Sequence, residues 1–231
     1  MARTTTAEET QAEYVKHMGT PLGVQFGALW QEMAWLYLKW GEYDELFGKK
    51  PSRVQLLNEA APLFFRVIQN VLWEDTLLHI ARLTDPAQSV GKGNRTNLTI
   101  QALPDLVDAS INKSIAGFVD IAVQRADFCR DWRNRHIAHR DLALALNGSA
   151  NPLKPANRKK VRETLQAIGD VLNAISVYYM KSQLKFECVG VSTGAASLLY
   201  VIDDGLKADA ERLDRMRRRE FRPEDIEARD L

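Results

Sequence analysis

The sequence predicts an all-α protein, an up-and-down helical bundle, and three observations carry that prediction. Apolar residues recur at three- and four-residue steps over long stretches. No segment sustains the two-residue alternation of β-branched side chains that marks a strand. Clusters of Gly, Pro, Ser and Asn punctuate the periodic stretches at intervals suited to short connections. With 45% apolar residues in a chain of 231, there is material for a sizeable core.

The first helix is expected from the stripe Phe26, Leu29, Met33, Leu36, Trp40, Tyr43 and Phe47, a strict three-four alternation. "GKKPS" ends it and starts the next, with Pro51 near the first turn. A second stripe runs through Val54, Leu57, Ala61, Phe64, Ile68, Val71 and Leu78, and Pro62 is expected to kink that helix. The loop "LTDPAQSVGKGNRTN" follows, then a short helix near "LTIQALPDLV". A long helix is expected over about 111–146, with Phe118, Ile121, Arg125, Cys129, Trp132, His136 and His139 in one lane. After the loop "NGSANPLKPAN", the stripe Val161, Leu165, Ile168, Leu172, Ile175 and Tyr179 marks another helix. "FECVGVSTG" reads as a short extended piece, and "GAASLLYVIDDG" opens a last helix to about Met216. Residues 1–216 thus read as one helical domain, and 217–231 as a charged, mobile tail without an apolar face.

Composition excludes several classes of function. A net charge of +1 rules out a generally basic coat for nucleic acid, so attraction for phosphate must be local. The polar, acidic start has no apolar core of a signal peptide, and no run nears the roughly 18 apolar residues of a membrane span. Two distant cysteines, Cys129 and Cys188, fit a reducing interior, so the expected location is the cytoplasm. No metal-ligand spacing is present and no cofactor is implied; "GVSTGAAS" and "SVGKGNRTN" lack the ending of a phosphate-binding loop and read as turns.

One stretch stands apart. "DFCRDWRNRHIAHRD" holds four arginines and two of the chain's four histidines. Two readings compete. The histidines are core-edge residues bonded to neighbouring helices while the arginines extend outward, or the segment handles an anion. RNA cleavage brings its own nucleophile, the 2′-hydroxyl. The protein must then add a base, an acid and positive charge on the phosphorane. Histidine titrates near neutrality and serves either proton role, and arginine's planar fork fits phosphate oxygens. On a helix Arg133 and His139 would lie roughly 9 Å apart along the axis and about 120° around it, with Asn134 able to orient one of them. One helix supplies one such set. Separate acid and base would need two copies across a twofold axis, hence a homodimer.

"RNRHIAH", Arg133-Asn134-x4-His139, resembles the signature of the HEPN superfamily. The wider pattern "ARLTDP…GNRTNLTIQAL…FCRDWRNRHIAHRDLALAL" resembles its abortive-infection, AbiU-like branch, over about 64–177. The resemblance implies a dimerising helical bundle and, in many members, metal-independent endoribonuclease activity in toxins or phage-defence effectors, some with an antitoxin partner. Other members are non-catalytic modules that bind RNA, nucleotide or protein. By motif, Arg133, Asn134 and His139 are the expected catalytic set. Arg130-Asp131-x4-His136 fits in a second register, which makes Arg130, Asp131 and His136 supporting candidates. Arg135 and Arg140 are candidates for contact with RNA.

Asp75 and His79 lie four apart on one lane and form a second candidate pair, too few for a metal cage and as readily a buried bundle contact. The basic runs "KPANRKKVR" and "RMRRREFR" are candidates for steering RNA, or are solvated faces.

Overall fold

The structure, a computed structural model, describes residues 6–88, 95–146, 151–183, 185–186 and 193–226. The regular elements among these residues are all helices, with no strand; the sole extended pairing among them is an isolated antiparallel bridge between Gln88 and Thr96. Contacts divide the chain into two compact units, one within 1–40 and 71–190, the other within 41–70 and 191–231.

A helix that the apolar pattern did not announce opens the chain. α1, Ala7–Met18, starts from a capping box: the Glu9 N–H donates to Thr6 Oγ1, and the Thr6 N–H donates to the Glu9 carboxylate. Gly19, at φ 78°, turns the chain into α2, Thr20–Phe47. A Cβ on Gly23 would stand 2.7 Å from the Val15 backbone, so glycine there lets α1 and α2 approach closely. The expected stripe from Phe26 to Phe47 is buried at all seven positions.

Pro62 starts a helix where a kink was expected. α3 is Pro51–Ala60 and α4 is Pro62–Leu83, with Ala61 non-helical between them. Proline disfavours α geometry in the residue before it and suits a first helical turn. The break resets the helical phase, so the predicted second stripe fails beyond it: Phe64 and Val71 are exposed, and α4 buries Phe65, Leu77, Ile80 and Ala81. "LTIQALPDLV" forms two short 3-10 turns, Ile100–Ala102 and Pro104–Leu106.

The long helix expected over 111–146 is broken. α5 is Ala109–Arg125, and α6 is Asp127–Trp132. A π turn, Arg133–Ile137, follows, and α7 is Leu142–Ala145. The expected lane also shifts: Phe118 and Ile121 face solvent, while Ile115, Val119, Ala122, Ala126 and Cys129 are buried. α8, Arg158–Met180, packs along α5 and buries Val161, Leu165, Ile168, Leu172 and Ile175 as its periodicity predicts. At the start of α5 the Asp108 N–H donates to the Tyr179 hydroxyl at 2.9 Å. With α1, α2 up to Trp40 and α4 from Val71, these elements form the first unit.

In the second unit α9, Ala195–Arg218, packs on α3, and Glu42 accepts the N–H of Ala195 at its N-terminus. The segment read as a tail turns back at Arg219, φ 60°. Asp225, in the short α10 (Pro223–Ile226), is buried and held by Arg215 through two hydrogen bonds of 3.1 and 2.5 Å. Charged residues gain order here by pairing, with no apolar face required. Residues 227–231 and most of "FECVGVSTG" (187–192), with parts of the two loops (89–94 and 147–150), lie outside the described residues.

Candidate active site

The arginine-histidine segment is anchored from below. Phe128 and Cys129 of α6 are buried, and the Trp132 indole N–H donates to the Lys154 carbonyl at 2.9 Å. Burial pushes the Cys129 thiol up, so it stays protonated and is a packing residue. Above this anchor the backbone changes pitch. The Ala138 N–H donates to the Arg133 carbonyl at 2.8 Å, a five-residue step, and the Asp141 N–H reaches back to the Arg135 carbonyl at 3.0 Å. Such π insertions add one residue to a helical turn and recur at functional sites. Asp141 then caps α7, accepting the N–H groups of Ala143 (3.0 Å) and Leu144 (3.2 Å); those bonds, the Leu144 one foremost, hold its carboxyl below the usual range.

The arginines divide by environment. Arg130 points inward, donating to the Val123 carbonyl at 2.6 Å and the Thr84 hydroxyl at 3.3 Å. Arg135 spans the π turn: it bonds Asp131 at 3.4 Å and Asp141 at 3.3 Å, and donates to the Asn151 carbonyl at 2.6 Å. Asp131 also accepts the Lys154 N–H at 2.8 Å. Arg130, Asp131 and Arg135 are thus committed to protein partners that shape the turn. Arg140 is exposed, with one contact to His136 Nδ1 at 3.4 Å.

Arg133 is different. Its Nε–H donates to Asn134 Oδ1 at 2.9 Å, and Nη1 donates to the Asp85 carboxylate. A guanidinium carries five N–H bonds. Nη2 has no partner among the described residues, so that corner of the guanidinium is available, and the side chain is 23% exposed. Asn134, the polar residue beside the arginine in the signature, here orients that arginine.

The two histidines differ likewise. His136 Nε2 lies 3.2 Å from Glu74 Oε1, Arg140 approaches Nδ1, and Trp132 packs edge-on at 5.3 Å. Since Arg140 can only donate, Nδ1 accepts and Nε2 carries the proton. His139 stands in the bend after the π turn, exposed, and its ring has no partner among the described residues. Because the π turn ends the regular helix, the α-helical spacing of about 120° between Arg133 and His139 does not apply.

Asp75 and His79 belong to another cluster. His79 is buried; Lys39 Nζ lies 3.2 Å from its Nδ1 and bonds the Asp75 carboxylate, while Glu32 Oε2 is 2.8 Å from Nε2 but out of line for a full hydrogen bond. Burial, then the charges of Lys39 and Arg82, pulls His79 down to about 4. No three His, Cys, Asp or Glu side chains among the described residues converge as a metal cage. The basic run at 154–162 borders a cavity of about 310 Å³ at the joint of α5 and α6, but its cations are occupied: Arg125 by the Glu163 carbonyl, Lys154 by Asp127, Lys160 by the Pro155 carbonyl.

Sequence reasoning passed over Asp85 and Glu74. The first sits in "RLTDP", a segment that contributed to the resemblance without a role of its own; the second is one residue from the pair that was singled out. No hydrophobic periodicity signals either, because both act through tertiary contacts.

No curated protein and no solved structure matches the chain. The sequence profile of AbiU2, among the HEPN domains, does match, over residues 20–194. That span runs from the first residue of α2 through α8 and takes in Asp85, Arg133, Asn134 and His139. Covering most of the chain, and agreeing with an all-helical fold that carries the arginine-histidine turn, the match places this chain in the AbiU2 family of HEPN proteins.

Proposed function

We propose that this protein is a metal-independent endoribonuclease of the HEPN type, acting as a toxin or antiphage, abortive-infection effector in the cytoplasm. The observation that carries the reading is a pre-oriented guanidinium on Arg133, at the start of the π turn, together with an unengaged imidazole on His139, in the bend that follows it. In this reading the free edge of Arg133 grips the scissile phosphodiester and neutralises charge that develops on the phosphorane. His139 moves a proton, either from the 2′-hydroxyl or to the departing 5′-oxygen. A second imidazole is needed for the other transfer. A homodimer supplies it from the symmetry-related His139, and His136 stands behind as a supporting group that Glu74 already holds in one tautomer. Arg140, exposed beside the turn, adds attraction for the RNA backbone.

The test is direct. Purified protein incubated with RNA in EDTA releases fragments ending in 2′,3′-cyclic phosphate, and Arg133→Lys and His139→Ala lose that activity. Cleavage that persists in both variants removes these residues from the mechanism. A wild type that binds RNA in a salt-dependent manner and never cuts it replaces the enzyme with a binding module. Growth arrest on expression of wild type, absent with His139→Ala, tests the toxin role; protection by a co-expressed neighbouring protein tests for an antitoxin.

A further inference from the structure

We infer that Asp85 is a positioning residue for Arg133, locking the guanidinium so that its free edge meets a phosphodiester; this rests on the nuclease reading above. The inference starts from how Asp85 is itself held. α4 ends at Leu83, and the carbonyls of a helix end have no partner within the helix. Here they are taken up by a single segment. The Thr99 hydroxyl lies 2.9 Å from the Leu83 carbonyl and 2.7 Å from that of Asp85. The Gln101 side-chain amide donates to the Thr84 carbonyl at 2.7 Å, and Asn97 donates to the carbonyls of Pro86 and Ala87 at 2.8 and 2.9 Å. Four donors from residues 97–101 thus serve this run of carbonyls, the single Thr99 hydroxyl hydrogen lying between those of Leu83 and Asp85, and Thr84 and Thr99 are fully buried. Pro86 further restricts the backbone of Asp85.

The bonds of this clasp go to backbone carbonyls and not to Arg133. The clasp's product is the direction of one carboxylate. Asp85 accepts from Arg133 Nη1, while its other oxygen, Oδ1, is buried with no hydrogen-bond partner among the described residues. A carboxylate so poorly hydrated holds its cation more firmly than one in open solvent. Asn134 secures Nε from the opposite side. With two points fixed, the planar group cannot rotate, and the remaining edge keeps one orientation before substrate arrives. The same arrangement gives "LTDP" and "NLTIQAL" a shared purpose: one supplies the carboxylate, the other pins the turn that aims it.

The experiment is a double-mutant cycle on the full chain. Wild type, Asp85→Asn, Arg133→Lys and the double variant are assayed on a fluorophore-quencher RNA in EDTA, and for affinity on its uncleavable 2′-O-methyl counterpart. Asp85→Asn should lower kcat about 30- to 100-fold, with KM within about threefold. Asp85→Glu, which retains the charge, should recover part of the loss. In the Arg133→Lys background the Asp85→Asn change should add less than about twofold, because the group it positions is gone. An Asp85→Asn effect of equal size in both backgrounds, or full activity in Asp85→Asn, overturns the inference. Should the wild type cut no RNA, the nuclease reading fails while the cycle is read from Kd: Asp85→Asn weakens binding only where Arg133 is intact, and absence of that coupling overturns the inference.

Discussion

On α4 the ring of His79 is 1% exposed and wedged among Lys39, Glu32 and Asp75; just past the π turn the ring of His139 is exposed with no partner among the described residues. Both regions belong to the first unit, and both bring a histidine near charged neighbours. In the first, burial and nearby cations remove the proton and leave a neutral ring whose charged neighbours satisfy one another. In the second, hydrogen bonds and ion pairs engage Arg130, Arg135 and His136, while part of the Arg133 guanidinium and the His139 imidazole have no partner among the described residues. Residue type alone does not distinguish the two; what the neighbours leave unoccupied does.

The comparison breaks most readily by exchanging the losses. His139→Ala should cut RNA cleavage about 10³-fold while its urea midpoint stays at the wild-type value. His79→Ala should do the reverse, destabilising by about 2–3 kcal/mol through a core void, with cleavage per folded molecule retained. Activity and unfolding curves on the same preparations decide it. A pH series sharpens the contrast. His79, pulled down to about 4 in the folded chain, takes up a proton more readily when unfolded. Its share of stability is therefore complete above about pH 6.5 and is lost as pH falls from there toward 4, by on the order of 3 kcal/mol. Denaturant titrations at pH 7, 5.5 and 4.5 follow it, and His79→Gln should flatten that window where His139→Gln should not.

A smaller effect is expected at Lys39, whose ammonium serves both Asp75 and His79. Lys39→Met should cost about 2 kcal/mol of unfolding free energy, less than a fully sealed pair because Asp75 reaches water. Smallest of all is Glu74→Gln. That carboxylate is 41% exposed, and its loss should move stability by under about 1 kcal/mol. A shift of several kcal/mol there, measured by thermal unfolding, would mean the π turn depends on Glu74 as the α4 cluster depends on Lys39.

Much of the fold was legible because burial on a regular helix leaves a period. The α2 stripe from Phe26 and the α8 stripe from Val161 lie in the core as their spacing requires. Reading failed where a helix stops being regular. Ala61 continues the predicted stripe without a break, yet its non-helical backbone before Pro62 moves Phe64 and Val71 to the surface. Likewise Ala126 and the five-residue turn at Arg133 divide one expected helix and undo the lane drawn from Phe118 to His139. α1 was missed although Thr6-x-x-Glu9 is a start signal that needs no apolar stripe. For the site, residue types and spacing drew attention to Arg133, Asn134 and His139. They could not show that Arg130 and Arg135 are consumed by the scaffold, nor that Asp85, nearly fifty positions earlier, meets Arg133.

A helix with one residue too many in a turn has a property that ordinary substitution never probes. Remove a single amino acid between Arg133 and His139 and the ladder of hydrogen bonds can heal into an unbroken α-helix, swinging everything beyond the cut by about 100°. Every side chain thought to matter would survive such a deletion, yet the imidazole would look elsewhere. In this segment the count of residues is as much a part of the chemistry as their names.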